Sequence, residues 1–315
     1  MPVSDARCPA GISSFFEVCS TDSTGKSLSD PAWIGARGGG FGITKGVRAH
    51  VSARKASRNK ITIRINSKNA PEAHTTRFAI DRLLKDAERT LDVQVDLKVN
   101  VPMAAGYGTS AAGTLATCLA LADAAEIPMT MNQLGRIAHV AEVENRTGLG
   151  TVSALLLGGF VLVTEPGAPG IGLVDRLHFP GAHSVLCAYL GPIDTRKALS
   201  QSDIAVRVNP AAQRVMEAVR RKPDLVTFLD ETRKFSSESG FQTAEIARLM
   251  YLMISAGAVG AAQNMIGRAV HCVAEDSRIP QILKAVRKEF PSASLFHSDL
   301  DVRGVRLVQG INPKH

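Results

Sequence analysis

Between residues 93 and 125 the chain changes period, and that change limits what it can fold into. From Val93 to Val101 the residues alternate: Val93, Val95, Leu97, Val99 and Val101 on one side, Gln94, Asp96, Lys98 and Asn100 on the other. This predicts a half-buried strand. The strand runs into Pro102-Met-Ala-Ala-Gly106-Tyr107-Gly108-Thr109-Ser110-Ala111-Ala112, from which a small-residue helix is predicted to about Ala125. The two glycines allow backbone angles closed to other residues, and Thr and Ser are residues that open helices. The first amides of a helix have no internal partners, and the helix dipole adds positive potential there. Gly106 to Ala111 therefore reads as a phosphate cradle that needs no lysine, with the Ser110 hydroxyl placed to touch a phosphate oxygen or a magnesium ion. The plainer alternative is a capped helix start in which Gly106 and Gly108 serve only the turn.

Two other phosphate-binding motifs fail on spacing. The same glycines fit a degenerate dinucleotide fingerprint, but the nearest acids, Asp123 and Glu126, fall at the end of the helix instead of the end of a following strand. Gly25-Lys26-Ser27 suggests a P-loop, but Ser20 stands where its first glycine belongs.

A second helix is predicted from about Asn132 to Arg146, with Leu134, Ile137, Val140 and Ala141 on its buried side. Glu142 lies near its end, before the break at Thr147-Gly-Leu-Gly150. A carboxylate there is suited to hold magnesium against phosphates; the plainer readings are a solvated glutamate or a pair with Arg146 at helical spacing. His139, on the same face, reads as structural. Elsewhere, strands are predicted at Ile12–Val18, Val47–Ala53, Lys60–Asn66, Ser184–Tyr189, Ser294–His297 and Gly304–Val308. Helices are predicted at His74–Leu91, Pro210–Val219, Ala244–Ala256 and Ile279–Glu289. Gly35–Gly42 reads as a glycine-dense turn around Arg37, and Val152–Val163 as a buried segment. The Pro- and Gly-rich run from Pro166 to Gly172 is the expected domain boundary. Ser255–Ala262 reads either as a third nucleotide-site segment or as close helix packing.

The 315 residues allow two domains, 1–170 and 171–315 in this reading. Aromatics are only 5%, so the core must be built from Ala, Val, Ile and Leu. The net charge of +8 suits an anionic substrate and nucleotide. The basic residues are scattered and carry no interleaved aromatics, which argues against nucleic acid. Five widely spaced cysteines without Cys-x-x-Cys argue against disulfides or zinc and for a cytoplasmic location. No apolar run is long enough for a membrane span.

The motif Pro102…Gly106-x-Gly108-Thr109-Ser110-Ala111 resembles the central motif of the galactokinase, homoserine kinase, mevalonate kinase and phosphomevalonate kinase (GHMP) superfamily, with Thr109 for the first Ser. Within it the chain is most similar to the archaeal pantoate kinases. The likeness is carried by Cys8–Glu17, Gly35–Gly40, Ala141–Gly150, Gly158-Gly159, Pro166–Pro169, Leu190–Pro192 and Asn264–Gly267, in order along the chain. It implies an α/β (α+β) two-domain fold, the N-terminal half like the second domain of ribosomal protein S5 and the C-terminal half ferredoxin-like. It also implies ATP and Mg2+ as cofactors, phosphates on Pro102 and Gly106–Ala111, magnesium on Ser110 and Glu142, and the acceptor near Ser13, Ser14, Arg37 and Thr151. Arg196 and Lys197 read equally as cationic contacts or as surface charges. The partner implied is a small anionic hydroxy acid, with no nucleic acid or membrane involved and a homodimer admissible.

The departures fall on the acceptor side. This chain has Gly11 where the pantoate kinases usually carry His, Ala36 for Ser, Thr151 for Asp and Val163 for Arg. The expected general base and a carboxylate clamp are gone. Phosphoryl transfer rests mainly on positioning and charge stabilisation, and homoserine kinases lack the aspartate too, so an active kinase with a changed acceptor is expected. A branched hydroxy acid with a primary alcohol fits, mevalonate 3-phosphate first. Pantoate and a non-catalytic nucleotide-binding role are the alternatives.

Overall fold

The computed structural model describes residues 2–181, 183–192 and 204–308. Arg196 and Lys197 lie outside them. Two long antiparallel strands, β1 (Val3–Cys19) and β2 (Gly35–Lys55), form the spine of the larger sheet. Their registers shift at Pro9/Ala10 and Ser13/Phe15, so each strand has two halves with different neighbours. The Val47–Lys55 half of β2 pairs with β5 (Leu91–Val99), which is followed by β3 (Lys60–Ile65) and β4 (Lys68–Asn69). The Gly38–Phe41 stretch pairs with β6 (Phe160–Glu165), which pairs with β7 (Leu173–Leu177).

The reading of Gly35–Gly42 as a turn is corrected here, since these residues are strand. The small side chains serve close approach. A Cβ on Gly40 would stand 2.3 Å from the Ile12 carbonyl oxygen, and one on Gly39 2.5 Å from the Phe15 ring. Sequence alone shows the glycines but not the ring that fills their place.

Helices α1 (His74–Asp86), α2 (Thr109–Ala124), α3 (Met131–Glu144) and α4 (Thr151–Leu157) pack with the large sheet around one aliphatic core. Nearly every side chain of α2 is buried, which explains its lack of a polar face. The alternation predicted for β5 holds, with Val93, Val95 and Leu97 buried. The chain leaves the large sheet at Leu177, beyond the Pro166–Gly172 run, and returns to it at β12 (Arg306–Leu307) beside β1.

The second sheet is antiparallel, in the order β11 (Ser294–Asp299), β8 (Ser184–Tyr189), β10 (Ala269–Ala274), β9 (Gly260–Gln263). One face carries α7 (Ala244–Ser255) and α8 (Ile279–Glu289). The other shares a core with β1, β2 and β6 through α5 (Ile204–Arg221) and α6 (Leu225–Glu238). The sequence reading omitted α6, β9 and β10. Ser255–Ala262 is the end of α7, a turn and the start of β9; these residues do not reach the cavity described next.

Candidate active site

A cavity of about 590 Å³ opens where β5 hands over to α2. Gly106, Tyr107, Gly108, Thr109 and Ser110 all border it. Gly108 is the N-cap of α2 at φ 56 and ψ 31, a left-handed conformation in which glycine alone carries no Cβ penalty. A Cβ there would also stand 2.8 Å from Thr151 Cγ2. The carbonyl of Tyr107 accepts from Gly11 N–H at 3.0 Å, tying the loop to β1. The Tyr107 ring is buried and packs on Phe296 of the second sheet, leaving its backbone to the cavity. Ala111 is buried in the first turn of α2, and Pro102 lies outside the cavity wall; neither side chain reaches the open space.

Glu142 forms the base of this end. Its carboxylate is buried, accepting from Ser110 Oγ at 2.5 Å and from Thr147 Oγ1 at 2.7 Å. Burial pushes its pKa above the ordinary carboxylate value, while the two hydroxyl hydrogen bonds pull the other way. Its second oxygen lies over Gly148, where a Cβ would come within 2.4 Å. The alternative pairing of Glu142 with Arg146 does not form. His139 is structural, as expected: it is buried, its pKa is lowered by that burial, and it is bonded through Nε2 to the Ile34 carbonyl at 2.8 Å.

Ser13 and Arg37 also border the cavity. Glu17 and Arg37 are cross-strand partners, and Arg37 Nε and Nη2 donate to Glu17 at 2.8 and 2.9 Å. Glu17 also accepts from Gln213 Nε2 of α5 at 2.7 Å. This network raises the Arg37 pKa, chiefly through its hydrogen bonds to Glu17, and fixes where the guanidinium points. Ser14 is corrected: it is fully buried, its Oγ has no partner among the described residues, and it is not part of the cavity wall.

Thr151 opens α4 and contributes its methyl to the wall, against Gly108 and Gly11. The other departures noted from the sequence, Gly11, Ala36 and Val163, line the same cavity. Four substitutions scattered over 150 residues of sequence thus converge on one space. Glu17, Gln213, Thr147 and Gly148 were missed as site residues. Only Thr147 and Gly148, inside the helix break after Glu142, gave a local signal; Gln213 reaches the site from the far side of the second core.

Residues 74–159 match the GHMP kinases N terminal domain family. The pantoate kinase of Thermococcus kodakarensis is 25% identical over 92% of this chain and 95% of its own. The mevalonate kinase of Pyrococcus abyssi is 24% identical over 59% of this chain and 60% of its own. A solved structure described as a phosphotransferase related to the CoA biosynthesis pathway superposes with a TM-score of 0.86 at 22% identity, covering 98% of this chain and 99% of that one, a likeness of fold. Residues 74–159 thus match a GHMP kinase N-terminal domain, and the chain as a whole shares its fold with a solved phosphotransferase.

Proposed function

We propose that this cavity carries the γ-phosphoryl group of ATP to the primary hydroxyl of a small, branched, anionic hydroxy acid, with mevalonate 3-phosphate as the acceptor and its 5-hydroxyl as the nucleophile. One observation carries the reading: the residues that open α2 border a cavity that also holds the Ser110–Glu142 pair and a fixed arginine, Arg37. The start of α2 with that pair suits a triphosphate, and the arginine suits a negatively charged acceptor.

The acceptor oxygen bonds to the γ-phosphorus, the bond from that phosphorus to the bridging oxygen breaks, ADP leaves with the electron pair, and the hydroxyl proton is released. In a loose transition state the leaving bond is largely broken before the new one forms, so a strong base is not required. Thr151 supplies no base, and its role is to shape the wall. Ser110 and Glu142 offer hard oxygen donors suited to magnesium. Among the described residues no cluster of three His, Cys, Asp or Glu side chains is present, so the remaining ligands would be phosphate oxygens and water. The ion would supply neutralisation of charge on the phosphate oxygens.

The aliphatic wall of Val161, Val163 and Ala154 suits a branched carbon skeleton, and the absence of a second arginine at Val163 disfavours the acceptor geometry that such a clamp would fix. Pantoate is the second reading, supported by the alignment with a pantoate kinase over nearly the whole chain. Coupled ADP detection against mevalonate 3-phosphate, mevalonate, pantoate, homoserine and shikimate separates them. Turnover with mevalonate 3-phosphate and little with pantoate is the expected result. The reverse pattern rejects the acceptor, and ATP binding without ADP formation over the whole panel rejects catalysis.

A further inference from the structure

We propose that Arg146 is a catalytic residue whose guanidinium contacts the phosphoryl group in transit, an inference that rests on reading the cavity as a phosphoryl-transfer site. Arg146 borders the cavity at the Glu142 end, immediately before Thr147, whose hydroxyl bonds the Glu142 carboxylate. Arg146 is exposed and adjoins the residues that make the Ser110–Glu142–Thr147 contacts.

The backbone shows that the side chain is not there for the turn. Arg146 follows the C-cap Asn145 of α3 and sits at φ 54. Helices favour glycine at this position, because a Cβ is disfavoured in the left-handed region. The bonds that close the turn, Arg146 N–H to the Val143 carbonyl at 3.1 Å and Thr147 N–H to the Glu142 carbonyl at 2.9 Å, are backbone bonds that glycine makes equally well. Glu88 and Glu126 take the same left-handed place after α1 and α2, so the turn asks nothing of the side chain at 146, and what sets Arg146 apart is the cavity it borders.

Charge points the same way. Glu142, four positions earlier, is the natural helical partner for Arg146, but its carboxylate is turned onto Ser110 and Thr147. Arg37, the other arginine on this wall, is committed to Glu17. Among the described residues Arg146 forms no ion pair, so its donors are free for an anion entering beside the phosphate loop. During transfer the hydroxyl oxygen bonds to phosphorus, the bond to the bridging oxygen breaks toward ADP, and the proton goes to water. Arg146 forms no covalent bond; its planar N–H groups neutralise charge on the oxygens of the moving group.

The test uses the full chain and an acceptor found by the ADP panel. It measures kcat, both KM values and melting temperature for the wild type and for R146K, R146M and R146G. In R146M and R146G, kcat is expected to fall by at least ~10²-fold, with R146K in between. KM for the acceptor is expected to change by less than ~3-fold, as for an interaction made mainly in the transition state. R146G is expected to melt at or above the wild-type temperature, because it relaxes the left-handed backbone. Retention of kcat within ~3-fold in R146M and R146G overturns the proposal. So does a loss of kcat that tracks a lowered melting temperature in both variants, since that marks a structural role. Wild-type turnover with unaffected variants overturns this inference alone; absence of wild-type phosphoryl transfer overturns the functional reading together with it.

Discussion

At the scale of single residues, the site rests on a carboxylate held by two hydroxyls. Ser110→Ala removes one donor to Glu142, and Glu142→Gln removes the charge. Each is expected to lower kcat by ~10²-fold or more, with little change in melting temperature. Gly148→Ala tests the geometry without touching a polar atom: its Cβ would lie 2.4 Å from a Glu142 oxygen, so the carboxylate must move and activity must fall. Wild-type rates in Gly148→Ala would show that the position of Glu142 does not matter. Thr151→Ala, by contrast, is expected to stay within ~10-fold of wild type, because a threonine hydroxyl takes no proton at neutral pH. Ser110, Glu142 and the phosphate loop were legible in the sequence because spacing along one helix and one turn places them. Ser14 does not reach the cavity, and Glu17, which bonds Arg37, was missed, for one reason: the direction of each β1 side chain is set by a bulge and by pairing with β2, neither of which is written locally.

At the scale of elements, period decided what was visible. The alternation of β5 and the apolar spacing of α1, α3 and α8 gave those elements directly. The glycine-rich start of β2 has no period, and its strand character comes from tight pairing with β1 and β6. Segment β9–β10 is short and buried on all sides, a pattern that does not distinguish strand from helix. One buried group in β10 offers a check on how that sheet meets the phosphate loop. His271 is fully buried, its Nδ1 bonds Asn264 Oδ1 at 2.8 Å, and burial lowers its pKa from 6.5 to about 3. A Cβ on Gly106 would stand 2.9 Å from Asn264 Cβ, so the two loops pack tightly. The unfolded chain binds a proton near pH 6.5, whereas the folded chain does so only near 3. Stability present above the first value is therefore lost as pH falls toward the second, by up to about 1.4 kcal/mol per pH unit. Denaturant midpoints measured at about pH 7 and about pH 5 are expected to drop less in His271→Gln than in the wild type. Equal drops would show that His271 is not buried as a neutral ring.

At the scale of the whole molecule, the proposed acceptor site draws on both sheets. Gln213 on α5 steadies Glu17, which steadies Arg37, while the 264–267 turn supports the phosphate loop and donates from Met265 N–H to the Ser13 carbonyl at 2.8 Å. Gln213→Ala is expected to raise the acceptor KM several-fold while leaving the ATP KM in place; equal changes in both would show that the network does not act through Arg37. Gly11, Ala36, Thr151 and Val163 converge on one cavity, with Gly11 and Thr151 against Gly108. That convergence was invisible in the sequence, where the four positions are far apart. The most direct test of the account is a crystal structure of this chain with magnesium and a non-hydrolysable ATP analogue. The account predicts β- and γ-phosphate oxygens within hydrogen-bonding distance of the backbone amides of residues 108–111, with Glu142 beside them. Phosphates bound anywhere else, with the start of α2 left to solvent, would contradict it.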